Sequence, residues 1–229
     1  MKLIKILIVF AAGGIFAAAT LLIYPEIYLG LKWRIPAEAY NYSKAANAYL
    51  LRMDQNVAPG RLILIGDSQI ESMDVSGFRP DAVNFGIGGD TWFGLSQRMP
   101  DYTSLSHADG VVLLAGINDL RHTSVAEIVQ QAKGALNMLP DDVPVYLASI
   151  MPVDPVKVPI SLSDIQLLND GLETLCRENC SYIDVYNAFL TSAGTVNTSL
   201  LQDDGIHLNR RGYQILKNLI QATVDRTGV

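Results

Sequence analysis

The sequence predicts an α/β domain in which a parallel sheet of five strands lies between two layers of helices. Five short apolar runs alternate with stretches of helical periodicity between residues 61 and 224. The runs lack the alternation of apolar and polar residues that marks a sheet with one face in water, so both faces should be covered. Strands that alternate with helices pair in parallel, because each helix returns the chain to the same end of the sheet.

The amino-terminal segment is predicted to be a membrane anchor, residues 1–25. No charge occurs from Ile6 to Pro25, and about 20 apolar residues can span a hydrocarbon core as a helix. Two lysines before this stretch favour a cytoplasmic amino terminus and an exported remainder. A cleaved signal peptide is the alternative, since Ala17 and Ala19 form an A-x-A pattern. Either interpretation predicts an extracytoplasmic domain, periplasmic or extracellular.

Three regions follow from this pattern: the anchor, a helical stalk over residues 26–60 that ends at Pro59 and Gly60, and a domain over residues 61–229. The predicted strands are residues 62–66, 82–86, 110–116, 143–150 and 181–185. The predicted helices of the domain are residues 91–105, 124–139, 163–178 and 211–224.

The charge balance argues against a nucleic-acid partner. Without the two lysines that precede the anchor, 15 basic residues stand against 23 acidic ones, a net charge of −8 for the exported part. Nucleic-acid binding requires a basic surface that neutralises phosphates, and this composition offers none.

The chain has two cysteines, Cys176 and Cys180, both in the part predicted to be exported. An oxidising compartment permits a disulfide between them, and a buried pair of thiols at a helix end is the alternative. No further cysteine or nearby histidine completes a zinc site.

Chemically distinctive residues follow three strands at the point where each strand ends. The segments are Gly66-Asp67-Ser68, NFGIGGDT (84–91) and GIND (116–119), with DDGIHLN (203–209) before the last helix. Taken singly, each has a structural explanation: Ser68 and Asp204 can cap helices, glycines permit positive φ, and Asn118 favours a turn. Because the carboxyl ends of parallel strands meet at one edge of a sheet, we expect these segments to lie close together.

Together these segments contain the parts of a serine hydrolase. A serine hydroxyl becomes a nucleophile when a base takes its proton, and His207 suits that task near neutral pH. Asp204, three positions before His207, can hold the imidazole in one tautomer and orientation. Ser68, Asp204 and His207 are therefore the predicted catalytic residues. The predicted oxyanion hole consists of the backbone N–H groups of Ser68 and Gly89 and the side-chain amide of Asn118.

These four blocks, in this order, resemble the SGNH hydrolase superfamily, whose members are also called GDSL-like esterases. The resemblance spans roughly residues 61–224 and implies a flavodoxin-like three-layer α/β/α sandwich. It gives Ser68, Gly89, Asn118, Asp204 and His207 the roles stated above. Gln69 departs from the pattern, since the eponymous motif of the family has leucine there. The glycine and GIND blocks look most like the acetylhydrolase and lysophospholipase-type branches.

The surroundings of the site suggest further roles. Trp92 and Phe93 are candidates to line an acyl or sugar pocket, although aromatic residues that open a helix are more often core. His122 follows the GIND block and is expected at the rim of the pocket. Asp67, Asp90 and Asp119 offer oxygen ligands to a metal ion, but a serine triad needs none, and we predict neither a metal nor another cofactor.

The function predicted from these observations is that of an extracytoplasmic serine esterase. The ester would carry an O-acetyl or another short acyl group on a carbohydrate or a lipid. One alternative is a lysophospholipase or thioesterase that acts on long acyl chains close to the bilayer. Another is an envelope-binding protein that keeps the fold without turnover. The oligomeric state is left open.

Overall fold

The computed structural model describes residues 37–77 and 79–228. The chain divides into two compact units, Met1–Ala45 and Ala46–Val229. The first described element is helix α1 (Ala37–Asp54). The predicted membrane anchor lies outside the described residues, and no helix within them is both long and apolar enough to cross a bilayer.

The described part of the second unit contains one parallel sheet of five strands, as predicted. The strands are β1 (Leu62–Gly66), β2 (Val83–Gly86), β3 (Gly110–Leu114), β4 (Val145–Ala148) and β5 (Cys180–Ile183). Their order across the sheet is β2-β1-β3-β4-β5, and every pair is parallel. In the register, Gly66 lies opposite Gly86 on one side and Leu114 on the other. The ends of the three neighbouring strands are therefore level at one edge.

Helices cover both faces of this sheet. They are α2 (Ser68–Glu71), α3 (Trp92–Arg98), α4 (Val125–Leu136), α5 (Leu162–Leu175) and α6 (Arg210–Thr227). Alternate residues of β1 belong to two separate clusters of buried apolar side chains: Ile63 and Ile65 to one, Leu62 and Leu64 to the other. The first cluster includes residues of α3, α4 and α5, and the second includes residues of α2 and α6. This confirms the three-layer α/β/α arrangement.

The predicted helix over residues 91–105 is shorter than expected. Helix α3 ends at Arg98, and two 3₁₀ turns follow it, Met99–Asp101 and Thr103–His107. Pro100 stands at the start of the first turn and has no N–H to continue the α-helical hydrogen bonds.

The start of the compact unit also differs from the predicted boundary at residue 61. Leu50 of α1 is buried in the first apolar cluster, and the buried Asp54 accepts hydrogen bonds from the backbone and hydroxyl groups of Thr103 and Ser104. Burial alone raises the pKa of Asp54, but these hydrogen bonds outweigh it and lower the pKa below the ordinary value. The carboxyl half of α1 is therefore part of the folded domain.

The two cysteines form a disulfide, which was one of the two alternatives left by the sequence. Cys176 caps the carboxyl end of α5 and Cys180 begins β5, and their Cα atoms lie 5.0 Å apart. The bond closes the short turn between these two elements.

Candidate active site

The nucleophile candidate stands on a sharp turn between β1 and α2. Gly66 ends the strand, and a Cβ at this position would overlap the carbonyl oxygen of Leu114 on β3. Asp67 caps the helix, because its Oδ1 accepts a hydrogen bond of 2.9 Å from the Gln69 N–H. Ser68 is the first residue of α2 and is partly exposed. The aspartate is therefore the cap, and the serine hydroxyl remains available for other contacts.

Ser68, His207 and Asp204 form a continuous chain of hydrogen bonds. The Ser68 Oγ lies 2.9 Å from His207 Nε2, and His207 Nδ1 lies 2.6 Å from Asp204 Oδ2. The other carboxylate oxygen of Asp204 accepts from the backbone N–H groups of Ile206 and His207, each at 2.9 Å. A proton on Nδ1 would bond to the carboxylate and leave Nε2 to accept the serine proton.

The environment of Asp204 keeps its carboxyl group ionised. Partial desolvation raises its pKa, but the hydrogen bonds from the His207 ring and from two backbone N–H groups lower it to about 2. The aspartate therefore carries a negative charge at neutral pH and can stabilise a protonated imidazole.

Replacing Asp204 with asparagine should lower the free energy of unfolding near neutral pH by an amount that shrinks on acidification. The folded carboxyl has a pKa of about 2, against an ordinary value of 3.8, so the unfolded chain binds more protons between these values. The stabilisation is complete above pH 3.8 and is lost as the pH falls towards 2. Urea unfolding of both proteins across this range measures it. The Asp203→Asn variant is the control, and a difference independent of pH would contradict the prediction.

Two further segments meet the turn that carries Ser68 (residues 66–68, the nucleophile turn) at the edge of the sheet. They are the glycine block (residues 84–91) and the GIND block (residues 116–119). The Ile87 N–H donates to the Gly66 carbonyl at 2.9 Å, which ties the glycine block to the end of β1. The Asn118 amide donates to the Asp90 carbonyl at 3.0 Å, which ties the GIND block to the glycine block. One of the two amide hydrogens of Asn118 remains for another acceptor.

Gly89 is an exposed position with a conformation that favours glycine. Its φ is +77°, and a Cβ built there would meet nothing within 4 Å. The backbone at Gly89 is therefore open to an approaching molecule, as an oxyanion donor requires. Its N–H makes no hydrogen bond to the rest of residues 37–77 and 79–228. The roles of Gly89 and Asn118 as oxyanion donors stay predictions.

A buried ion pair lies beneath this edge and was missed by the sequence analysis. Arg98 Nε donates to Asp90 Oδ2 at 2.7 Å, and both side chains are almost fully buried. The guanidinium also donates to the Gly66 carbonyl at 3.2 Å and to the Tyr102 hydroxyl at 3.0 Å. The Tyr102 hydroxyl in turn donates to Asn47 Oδ1 on α1 at 2.6 Å. Arg98 thus joins the nucleophile turn, the glycine block and α1.

Two other acids at this edge accept backbone N–H groups at the starts of helices. Asp67 holds the Gln69 N–H, and Asp119 accepts from the Trp92 N–H at 3.1 and 3.3 Å. Burial raises the pKa of each carboxyl group to about 7, and the negative charge of Asp90 adds to that rise.

The three residues suggested for a substrate pocket differ in their exposure to solvent. Trp92 is fully buried in the first apolar cluster, which is the core position that the sequence left as the alternative to a pocket. Phe93 is partly exposed, and His122 is exposed just after the 3₁₀ turn Asp119–Arg121. Their roles in substrate binding stay predictions.

The linked serine, histidine and aspartate at the strand ends have the geometry on which a serine-hydrolase mechanism depends. The chain belongs to the GDSL-like lipase/acylhydrolase family, whose model matches residues 72–215. This confirms the resemblance found in the sequence. The matched segment begins just after Ser68, so the assignment of the nucleophile depends on the geometry described above.

Solved structures with the same fold include two from bacteria. A Streptococcus pneumonia protein provisionally described as a platelet activating factor has a TM-score of 0.74 and 20% identity, covering 90% of this chain and 99% of its own. A variant of an acetyl xylan esterase from Geobacillus stearothermophilus has a TM-score of 0.61 and 18% identity. The match covers 72% of this chain and 94% of the esterase chain. At these identities the similarity concerns the fold.

A similar curated protein is an N-acylneuraminate cytidylyltransferase from Streptococcus agalactiae. It is 24% identical over 164 residues, which are 71% of this chain and 38% of that protein. The chain therefore spans well under half of the length of this relative.

Proposed function

We propose that this member of the GDSL-like family is a serine ester hydrolase that removes an O-acetyl or another short acyl group from a carbohydrate or a lipid. The observation that carries the proposal is the hydrogen-bonded chain from the Ser68 hydroxyl through the His207 ring to the Asp204 carboxylate. This arrangement provides a nucleophile, a base and a group that orients the base.

The proposed reaction has two steps. In the first, His207 Nε2 takes the Ser68 proton while Oγ attacks the carbonyl carbon; the ester C–O bond then breaks and the proton passes to the departing alcohol. The second step repeats this with water, which gives the free acid and restores Ser68. The N–H groups of Ser68 and Gly89 and the Asn118 amide would donate to the oxyanion in both steps.

The preference for a short acyl group is motivated by the acetyl xylan esterase among proteins of this fold. The apolar amino-terminal segment supports an extracytoplasmic location with attachment to the membrane. The Cys176–Cys180 disulfide also supports export, because such bonds persist mainly in oxidising compartments.

A fluorophosphonate probe tests the nucleophile. We expect stoichiometric labelling of the wild type and none of the Ser68→Ala variant, because the probe reacts only with an activated serine. The control is Ser72→Ala, which removes the serine hydroxyl at the carboxyl end of α2. This variant should label like the wild type. Equal labelling of wild type and Ser68→Ala would refute the assignment.

A series of aryl esters of increasing acyl length tests the substrate class. Turnover that is highest for acetyl and falls with chain length supports the proposal. Equal or faster turnover of long chains favours the lysophospholipase or thioesterase, for which the apolar amino-terminal segment is the motivating feature. Binding of an envelope polymer without hydrolysis of any ester would favour the silent binding protein.

A further inference from the structure

Gln69 departs from the family motif. Its side chain connects the nucleophile turn to the loop that carries His207 (residues 203–209, the histidine loop). The residue is 2% exposed and lies directly after Ser68. Its Nε2 donates to the Ile206 carbonyl at 2.8 Å, and its Oε1 accepts from the Leu208 N–H at 3.4 Å. Both ends of one side-chain amide therefore hold the two residues that flank His207.

Apart from the contact of His207 with the Ser68 hydroxyl, the remaining hydrogen bonds of the histidine loop come from elements other than the nucleophile turn. Gln202 donates from its backbone to the His207 carbonyl at 2.7 Å and from its side chain to the Leu208 carbonyl at 2.9 Å. Asp204 holds two N–H groups of the loop, and the Asp154 N–H donates to the Gly205 carbonyl. None of these contacts joins the loop to α2, the helix that carries Ser68.

The backbone of Gln69 is itself fixed, because its N–H is held by the Asp67 cap. The side-chain amide thus extends from the same short helix that carries the Ser68 Oγ. A leucine at this position could pack against Leu208 but could not hydrogen bond to either flank of His207. The buried Leu208 N–H and the Ile206 carbonyl would then lose this partner.

We propose that Gln69 is a positioning residue that sets the distance and orientation of the His207 ring relative to the Ser68 hydroxyl. The proposal depends on the proposed function, since it assigns His207 the role of base. A misplacement of about 1 Å at a reacting pair can cost about 100-fold in rate. Loss of the amide should therefore slow acylation more than it weakens substrate binding.

The test compares Gln69→Leu with Gln202→Leu in the full chain. Each variant removes a glutamine side chain that bonds to the histidine loop, but only Gln69 reaches it from the nucleophile turn. For both, kcat and KM on an aryl acetate, the rate constant of fluorophosphonate labelling and the thermal unfolding midpoint are measured.

We expect Gln69→Leu to lower kcat and the labelling rate about 10- to 100-fold, with KM changed less than about three-fold. We expect Gln202→Leu to stay within about three-fold of the wild type in kcat. A Gln69→Leu variant as fast as the wild type, or equal losses in both variants, would overturn the proposal.

Should Gln69→Leu fail to fold, Gln69→Glu keeps the size of the side chain and the acceptor for Leu208, and loses the donor to Ile206. A reduced labelling rate in that variant at an unchanged unfolding midpoint supports the proposal, and an unchanged rate overturns it. A wild type that neither labels nor hydrolyses esters would refute the proposed function instead, so the two failures are distinct.

Discussion

Replacing His207 with alanine is expected to lower kcat/KM on an aryl acetate by about 10⁴- to 10⁶-fold. The Ser68 Oγ then loses the acceptor that lies 2.9 Å away, and no proton transfer accompanies its attack. The fold should persist, because the His207 side chain is about one-third exposed and lies outside the apolar clusters. Steady-state kinetics with both proteins at matched concentration measure the loss.

The matched control for that experiment is His107→Ala. His107 is exposed at the end of a 3₁₀ turn, away from the strand ends that carry the site, and its removal should leave kcat/KM within about two-fold of the wild type. More than a few per cent of residual activity in His207→Ala, with a normal unfolding curve, would show that another group acts as the base.

Replacing Arg98 with methionine is expected to lower the free energy of unfolding by about 3–5 kcal/mol. The substitution leaves the buried Asp90 carboxylate without its cation and leaves the Gly66 carbonyl and the Tyr102 hydroxyl without a donor. Denaturant unfolding at neutral pH measures this loss. The dependence of the free energy of unfolding on denaturant concentration should be the same for both proteins.

A second substitution separates the ion pair from the packing of Arg98. In the double variant Arg98→Met with Asp90→Asn, no buried charge is left unpaired, so part of the loss should be recovered. The more exposed pair of Arg79 and Asp81, at 3.0 Å, gives the contrast: Arg79→Met should cost less than Arg98→Met. A loss below 1 kcal/mol for Arg98→Met would contradict the prediction.

The sheet was predictable because its strands are covered on both faces. Burial on both faces requires an unbroken apolar run, which is visible locally, and β1 has the predicted bounds of residues 62–66. The pairing of Asp204 with His207 was predictable for a similar reason, since three residues of separation in a loop bring the two groups together. The contact of Ser68 with His207 follows only from parallel strand ends and the family resemblance.

The residues missed by the sequence analysis act across long separations. Gln69 and Ile206 lie 137 positions apart, and no local pattern connects them. Arg98 shares the buried face of α3 with Leu95, three positions earlier, and that spacing was the available signal. Because arginine side chains are mostly exposed in proteins, the spacing alone did not predict that Arg98 is buried. The packing of Leu50 was hidden because α1 is rich in small and polar residues.

The polar contacts between α1 and the rest of the domain bear on how the protein should be prepared. A protein expressed from residue 61 would lack Asn47, Leu50 and Asp54, although its sequence would still contain every predicted catalytic group. The Tyr102 hydroxyl would lose its acceptor, and Ser104 would lose the carboxylate that holds it. Tyr102 is a hydrogen-bond partner of Arg98, so the truncation would weaken the network that holds the Gly66 carbonyl near Ser68. A shortened protein intended for assays or crystals should therefore begin before Ala46.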